Sequence, residues 1–285
     1  HTRSLCDWSS DVCSSDLEPR GAGSNGTSVA RARLVFAGQS GRLEDLRVIF
    51  RQQPATSGGL HFGSRIAVSR DGLLFIALGE RYQRDRAQET SNHYGKVIRI
   101  RADGTVPRDN PYLQVPNAQP ELWSIGHRNP QSAAIHPQTG KLWTVEHGAQ
   151  GGDEVNIPAA GKNYGWPIIT YGRDYSGAKI GIGTAREGLE QPIYYWDPSI
   201  APSGMAFYTS DRAPRWKGNL FVGALAGKHL ARLVLDGEKV VAEERLLDGF
   251  DERIRDVREA PDGTLLVLTD NPNGRIVRLT PEPQP

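Results

Sequence analysis

Four stretches of the chain share one pattern: a small or polar residue, an alternating apolar run, a tight turn carrying glycine, and a second apolar run. They are RIAVSRDGLLFIALG (65–79), SAAIHPQTGKLWTVEHG (132–148), GMAFYTSDRAPRWKGNLFVGAL (204–225) and RDVREAPDGTLLVLTD (255–270). Alternation with period two is the signature of half-buried strands, and Asp-Gly at 71–72 and 262–263 is a strong hairpin signal. Each unit is followed by further strand-like segments. These are KVIRI (96–100) before Ala102-Asp103-Gly104, HLARLVLDGEKVVAEERLL (229–247) turning at Asp236-Gly237, and RIVRLTP (275–281). A partial unit lies at Ala30–Phe50. No segment has the length and 3.6-residue period of a long amphipathic helix, so the chain reads as all-β.

The turn glycines Gly72, Gly140, Gly218 and Gly263 are unevenly spaced. The units are therefore not identical tandem copies. A sandwich explains the hairpins but not the polar loop that each carries at the same phase. Blades of a β-propeller with long insertions explain both. About four blades plus part of another are legible. A chain of 285 residues can bury a sizeable core as a single domain. Its net charge of +1 gives no reason to expect nucleic acid or an anionic membrane surface, and no apolar run reaches the ~20 residues of a membrane span.

The ends read differently from the rest. CDWSSDVCSSDL (Cys6–Leu17) resembles the translation of a sequencing-library adapter, and it holds both cysteines, Cys6 and Cys13. It lacks the apolar core of a signal peptide. Residues 1–17 are accordingly expected to be a foreign disordered leader, 18–280 a propeller fragment, and 281–285 a disordered tail. On that reading no disulfide chemistry follows.

Loop chemistry concentrates between Gly126 and Pro167. GHRNPQ (126–131) is a polar turn with an arginine, EHGAQGGDEVN (146–156) a glycine-rich acidic loop, and NYGWP (163–167) a glycine/aromatic turn. In this order and at these intervals they resemble the soluble PQQ-dependent aldose sugar dehydrogenases, the glucose/sorbosone dehydrogenase family of six-bladed β-propellers. The resemblance extends from about Ala30 to Leu279. It implies an incomplete six-bladed ring here, with one blade and part of another missing, and hence exposed strand edges and little activity.

The same resemblance assigns roles. His61, in GGLHFGSR (58–65), would be the general base, a task that suits an imidazole. Glu80 would pair with it, although a salt bridge to Arg81 or Arg84 is equally compatible with the residues. Arg128 would stand beside the quinone carbonyls, and Asn129 would hydrogen-bond the cofactor. The carbonyls of Gly148 and Ala149 would bind the Ca²⁺ of the cofactor site, and Glu154 with the Tyr164 carbonyl a second Ca²⁺. His147 reads as a packing residue. Trp196 would cover the planar cofactor, with the register uncertain by a residue. Arg253 and Arg255, two apart on a strand, would face the same way toward the cofactor's carboxylates. Where the family often has a cofactor lysine this chain has Ala226, and Lys228 is the nearest replacement. Each of these residues also has a plainer structural reading as a turn, core or surface residue.

The expected activity is oxidation of the C1 hydroxyl of an aldose to the lactone, with PQQ and Ca²⁺ as cofactors and an external electron acceptor. A periplasmic or secreted location follows from the family. Two alternatives stay open: a Ca²⁺-dependent lactonase-like hydrolase, which has no use for the Arg253/Arg255 pair or a Trp196 cover, and a non-catalytic binding propeller, in which His61 and Glu80 do not meet.

Overall fold

The computed structural model describes residues 2–5 and 11–281. Its strands form five antiparallel sheets, each running through consecutive strands. The first holds β1 (Thr2–Leu5), β2 (Asp11–Pro19), β3 (Asn25–Ala37) and β4 (Ser40–Arg51). The second holds β5 (Gly63–Val68), β6 (Leu74–Leu78), β7 (Lys96–Ile100) and β8 (Leu122–Ile125). The third holds β9 (Pro130–Ile135), β10 (Leu142–Glu146), β11 (Asp153–Asn156) and β12 (Tyr194–Trp196). The fourth holds β13 (Pro202–Phe207), β14 (Leu220–Ala224), β15 (Leu230–Asp236) and β16 (Lys239–Leu246). The fifth has three strands, β17 (Ile254–Glu259), β18 (Leu265–Thr269) and β19 (Ile276–Leu279). A 3₁₀ turn at Arg84–Gln88 is the one helical element among the described residues.

All four glycine turns seen in the sequence join the first and second strands of a sheet: Gly72 between β5 and β6, Gly140 between β9 and β10, Gly218 between β13 and β14, and Gly263 between β17 and β18. The all-β expectation therefore stands. The count does not: an incomplete six-bladed set of about four blades and a fraction is corrected to five blade-like sheets. The difference lies in the first sheet. Ala30–Phe50, read as a fragment, is the β3–β4 hairpin, and β2 pairs with β3 along its whole length, from Asp11 opposite Arg33 to Pro19 opposite Asn25. The residues read as a leader thus include strand residues, and Cys13 and Ser15 point inward. With serine and aspartate between and beside them, that alternation is too polar to register as a strand. Ser15 Oγ donates to the Ser64 carbonyl at 2.6 Å, tying β2 to β5. Cys6 and residues 282–285 lie outside the described residues.

The chain divides into two compact units. Unit one comprises 1–130, 158–168 and 186–190, and unit two 131–157, 169–185 and 191–285. In unit one the core joins the first two sheets, through Val29 and Phe50 with Ile66, Leu74, Ile76, Ile98 and Leu122. β6 and β7 are buried at every position, which explains why β6, LFIAL, reads as a continuous apolar run rather than an alternating one. In unit two one core joins the third and fourth sheets through Trp143, Val155, Met205 and Val222. A second joins the fourth and fifth through Phe221, Leu230, Ile254 and Val267.

Candidate active site

Strand register gathers four loops of unit one at one edge of the second sheet. Gly63 lies opposite Leu78, Leu78 opposite Lys96, and Lys96 opposite Ile125. The residues before β5, after β6, before β7 and after β8 therefore emerge side by side, because antiparallel neighbours share ends. Backbone hydrogen bonds lace them together. Gly79 N–H donates to the Phe62 carbonyl at 3.2 Å, Glu80 N–H to Arg128 at 2.9 Å, Arg81 N–H to His61 at 3.3 Å, and His127 N–H to Gly95 at 3.1 Å.

This edge brings His61, Glu80, Arg128 and Asn129 together. His61 Nδ1 lies 2.6 Å from Glu80 Oε1, and Glu80 is almost wholly buried. An ionised carboxylate only accepts, so the imidazole proton belongs on Nδ1 and the Nε2 lone pair points elsewhere. The other carboxylate oxygen, Oε2, is buried with no hydrogen-bond partner among the described residues. Glu80 thus does not form the salt bridge to Arg81 that the sequence left open. Arg81 turns away: Nε donates to Leu60 O at 3.0 Å, a terminal nitrogen to Asn25 Oδ1 at 2.6 Å and Gly58 O at 2.8 Å, and the guanidinium lies 3.9 Å from the Phe62 ring centroid. Burial lowers the Arg81 pKa from its usual value.

Arg128 is buried, with its guanidinium carbon 5.2 Å from the centroid of the Trp166 ring. Asn129 is spent partly on the loop itself, since its Oδ1 accepts from Gly63 N–H at 3.3 Å. Trp166 is held by Gln88, whose side-chain amide donates to the Trp166 carbonyl at 2.7 Å and exchanges hydrogen bonds with Asn163. Tyr164 stacks on His127, with centroids 4.8 Å apart. Behind them Lys96 is fully buried, and burial pushes its ammonium down to about 7. Its Nζ donates to the carbonyls of Arg86, Ala87 and Tyr94, closing the 3₁₀ turn onto the sheet.

The remaining candidates lie in unit two. Gly148 N–H donates to Asp153 Oδ1 at 2.8 Å, and Asp153 Oδ2 accepts from Ser199 Oγ and from the amides of Ile200 and Ala201 at 2.6–2.9 Å. Asp153 is thus a buried clamp between two loops. A Cβ on Gly148 would sit 2.1 Å from Gly151 O and 2.4 Å from Gly152 O, so the 148–152 loop packs backbone oxygens closely and requires glycine there. Glu154 lies opposite Glu146 on β10, and Asn156 Nδ2 bridges them at 2.9 and 3.1 Å. Desolvation, and after it the charge of Glu146, pushes the Glu154 carboxyl up to about 8.

Trp196, Lys228, Arg253 and Arg255 each have a partner within the protein. Trp196 is not a cover. Its ring is buried in the core and Nε1 donates to Glu243 at 3.0 Å. The alternation of β12 turns Tyr195 outward instead, half-exposed and stacked on Tyr171 with centroids 3.9 Å apart. Lys228 lies at the surface in an ion pair with Asp251 at 2.6 Å. Arg253 and Arg255 do converge, but on the Asp270 carboxylate, at 3.0 and 3.1 Å. His147 Nε2 donates to Pro202 O at 2.7 Å, as a packing residue would.

Several residues that shape the site escaped the sequence reading. Arg81 and Tyr82, with φ of 56 and 63, form a left-handed pair that no motif announces. Gln88 acts on the Trp166 carbonyl 78 residues along the chain, and Lys96 on the carbonyls of the nearby 3₁₀ turn, contacts that leave no motif in the residue types.

The comparisons with known proteins converge on one family. The pattern described as Glucose / Sorbosone dehydrogenase matches residues 13–278. The chain belongs to this family. It is 46% identical over 261 residues to the aldose sugar dehydrogenase YliI of Escherichia coli K12, spanning 91% of this chain and 70% of that protein. A crystal structure of a glucose dehydrogenase superposes with a TM-score of 0.93 at 51% identity, covering 96% of this chain and 79% of the other. The PQQ-bound form of the aldose sugar dehydrogenase from Streptomyces coelicolor superposes with a TM-score of 0.72 at 26% identity, covering 94% and 74%. As a glucose/sorbosone dehydrogenase the chain is an oxidoreductase of the sugar dehydrogenase type. No helix among the described residues is long and apolar enough to cross a membrane.

Proposed function

We infer that this glucose/sorbosone dehydrogenase oxidises the C1 hydroxyl of an aldose to the lactone, with PQQ as the hydride acceptor. The observation that carries the reading is the pairing of His61 with the buried Glu80, with the Arg128 backbone bonded to Glu80 beside it. A base for this reaction must take the hydroxyl proton as hydride leaves C1, and His61 Nε2 is the lone pair available for it. The charge created on the imidazole is balanced by Glu80 at 2.6 Å in a low-dielectric setting. Loss of the proton leaves the C1–O electron pair to form the carbonyl while C1 gives up hydrogen with two electrons. Arg128 supplies fixed positive charge where negative charge develops, without reorganising.

The chemistry of the donor groups fits PQQ and Ca²⁺. Arg253 gives Asp270 only its Nε–H, so its terminal nitrogens remain for another anion. The oxygen-rich 148–152 loop suits Ca²⁺, with Gly148 and Ala149 supplying carbonyls. Among the described residues no three His, Cys, Asp or Glu side chains are grouped to hold a metal, so a site here depends on backbone oxygen. Glu154, held near Glu146, gains from a nearby cation and is our candidate ligand for a second Ca²⁺. When bound, PQQ would supply a two-electron hydride acceptor and Ca²⁺ a Lewis acid. Electrons would pass to an external acceptor, in a periplasmic or secreted setting.

The test is dye reduction by a panel of aldoses after reconstitution with PQQ and Ca²⁺. Sugar-dependent reduction that needs PQQ supports the reading, and none with any aldose overturns it. For the second metal site, Ca²⁺ should raise the melting temperature by mass action, and Glu154→Ala should remove most of that rise. Equal shifts in both proteins would rule Glu154 out as a ligand.

A further inference from the structure

We propose that Tyr82 determines substrate binding: its ring is a platform on which the C–H face of an aldose ring packs, presenting the C1 hydroxyl to His61. This rests on the reading of His61 as the base. Tyr82 follows Glu80 by two residues, and its ring centroid lies 4.6 Å from that of His61 at an interplanar angle of 41°. It is 59% exposed, so core packing does not explain its position. Its hydroxyl makes no hydrogen bond among the described residues, which leaves it for a ligand.

The backbone beneath the ring is held in a costly conformation. Arg81 and Tyr82 both adopt left-handed φ, 56 and 63, although neither is glycine. Such conformations persist only where the surroundings over-determine them, and they cluster at binding sites. Here the over-determination is visible. Arg81 is buried and fixed by three side-chain hydrogen bonds to Leu60, Gly58 and Asn25, and by the face of Phe62. The same anchor fixes the 58–62 loop that carries His61, so ring and base are held as one piece. An exposed aromatic side chain with a free hydroxyl, beside a base, matches what a pyranose offers: an apolar C–H face rimmed by hydroxyls. The structure assigns Tyr82 to orientation of the sugar, with Arg81 as the residue that positions it.

The reconstituted enzyme carrying Tyr82→Phe, Tyr82→Leu or Tyr82→Ala separates the outcomes. Loss of the platform removes binding shared by ground and transition states, so Tyr82→Ala should raise KM about tenfold with kcat little changed, while Tyr82→Phe, which keeps the ring face and loses only the hydroxyl, should raise it less. In the protein without PQQ, glucose should shift the His61 imidazole NMR signals of wild type and Tyr82→Phe but not of Tyr82→Ala. Unchanged KM and NMR shifts in Tyr82→Ala would overturn the proposal. So would a fall in kcat that matches a fall in melting temperature, the mark of a merely structural role. If Tyr82→Ala fails to fold, Tyr82→Leu against Tyr82→Phe decides, since only the latter keeps the π face. If wild type binds glucose by NMR yet never turns over, the dehydrogenase reading fails and the NMR arm still judges Tyr82.

Discussion

His61→Ala is expected to lower kcat by about 10²–10⁴-fold, the usual contribution of a positioned general base. The fold should be intact, because the His61 side chain is partly exposed and, among the described residues, its imidazole hydrogen-bonds to Glu80 alone, while the backbone bond from Arg81 N–H survives truncation. Glu80→Gln should act in the same direction through a different route. The glutamine amide can donate to Nδ1, which favours the tautomer carrying its proton on Nε2, and that tautomer cannot accept the C1 proton. It also removes the charge that balances the imidazolium. A fall of about tenfold or more is expected for Glu80→Gln. Steady-state kinetics of the two variants and of the double variant provide the check. The two residues act as a unit, so the double variant should be little worse than His61→Ala alone. Wild-type turnover from His61→Ala would sink the base assignment.

How far the sequence reached can be followed residue by residue. The hairpins carried by Gly72, Gly140, Gly218 and Gly263 were legible because turn chemistry and apolar runs are local signals. The first sheet was not, because β2 buries Cys13 and Ser15 rather than large apolar side chains, and polar inward positions do not show in a hydropathy pattern. The meeting of His61 and Glu80 could be anticipated from family resemblance. What makes it possible is the β5–β6 register, which puts the residues flanking a 19-residue separation side by side. Trp196 shows the opposite limit. On a strand a shift of one residue exchanges inside for outside, so the motif located the aromatic cluster but not which ring faces out. The Arg253/Arg255 pair shows a third: the two-residue spacing could not reveal that Arg253 precedes β17, nor that Asp270, 15 residues beyond Arg255, is the carboxylate on which both side chains meet. Arg81 and Tyr82 were opaque because left-handed φ at a non-glycine residue is imposed by tertiary anchoring and leaves no mark in the residue types.

The same close packing makes Gly79 a sensitive backbone position of the site. It follows β6 directly and passes beneath the loop that carries the base. A Cβ there would lie 2.1 Å from the His61 carbonyl oxygen, 2.5 Å from the carbonyl carbon and 3.0 Å from Asn129 Oδ1. The first two are backbone atoms, which no side-chain rotation can clear. The His61 carbonyl is also the acceptor for Arg81 N–H, so displacing it strains the anchor of the left-handed pair as well. Gly79→Ala is therefore expected to destabilise the protein by about 3 kcal/mol or more, at or above the upper end for overpacking. At roughly 2–4 °C per kcal/mol, that is a fall in melting temperature of about 6–12 °C or more. Activity should fall further than stability, because the displaced segment carries the base and small misplacements of reacting groups can cost ~10²-fold. Gly59→Ala is the internal control. It lies two residues before His61, a Cβ added to it would meet no heavy atom within 4 Å, and it does not adopt positive φ. It should leave both melting temperature and turnover near wild type. Thermal melts and initial rates of the two variants, side by side, make the comparison. If Gly79→Ala melts and turns over like Gly59→Ala, the loop is not held against β6 as closely as described, and the rigid link between strand register and base is lost with it.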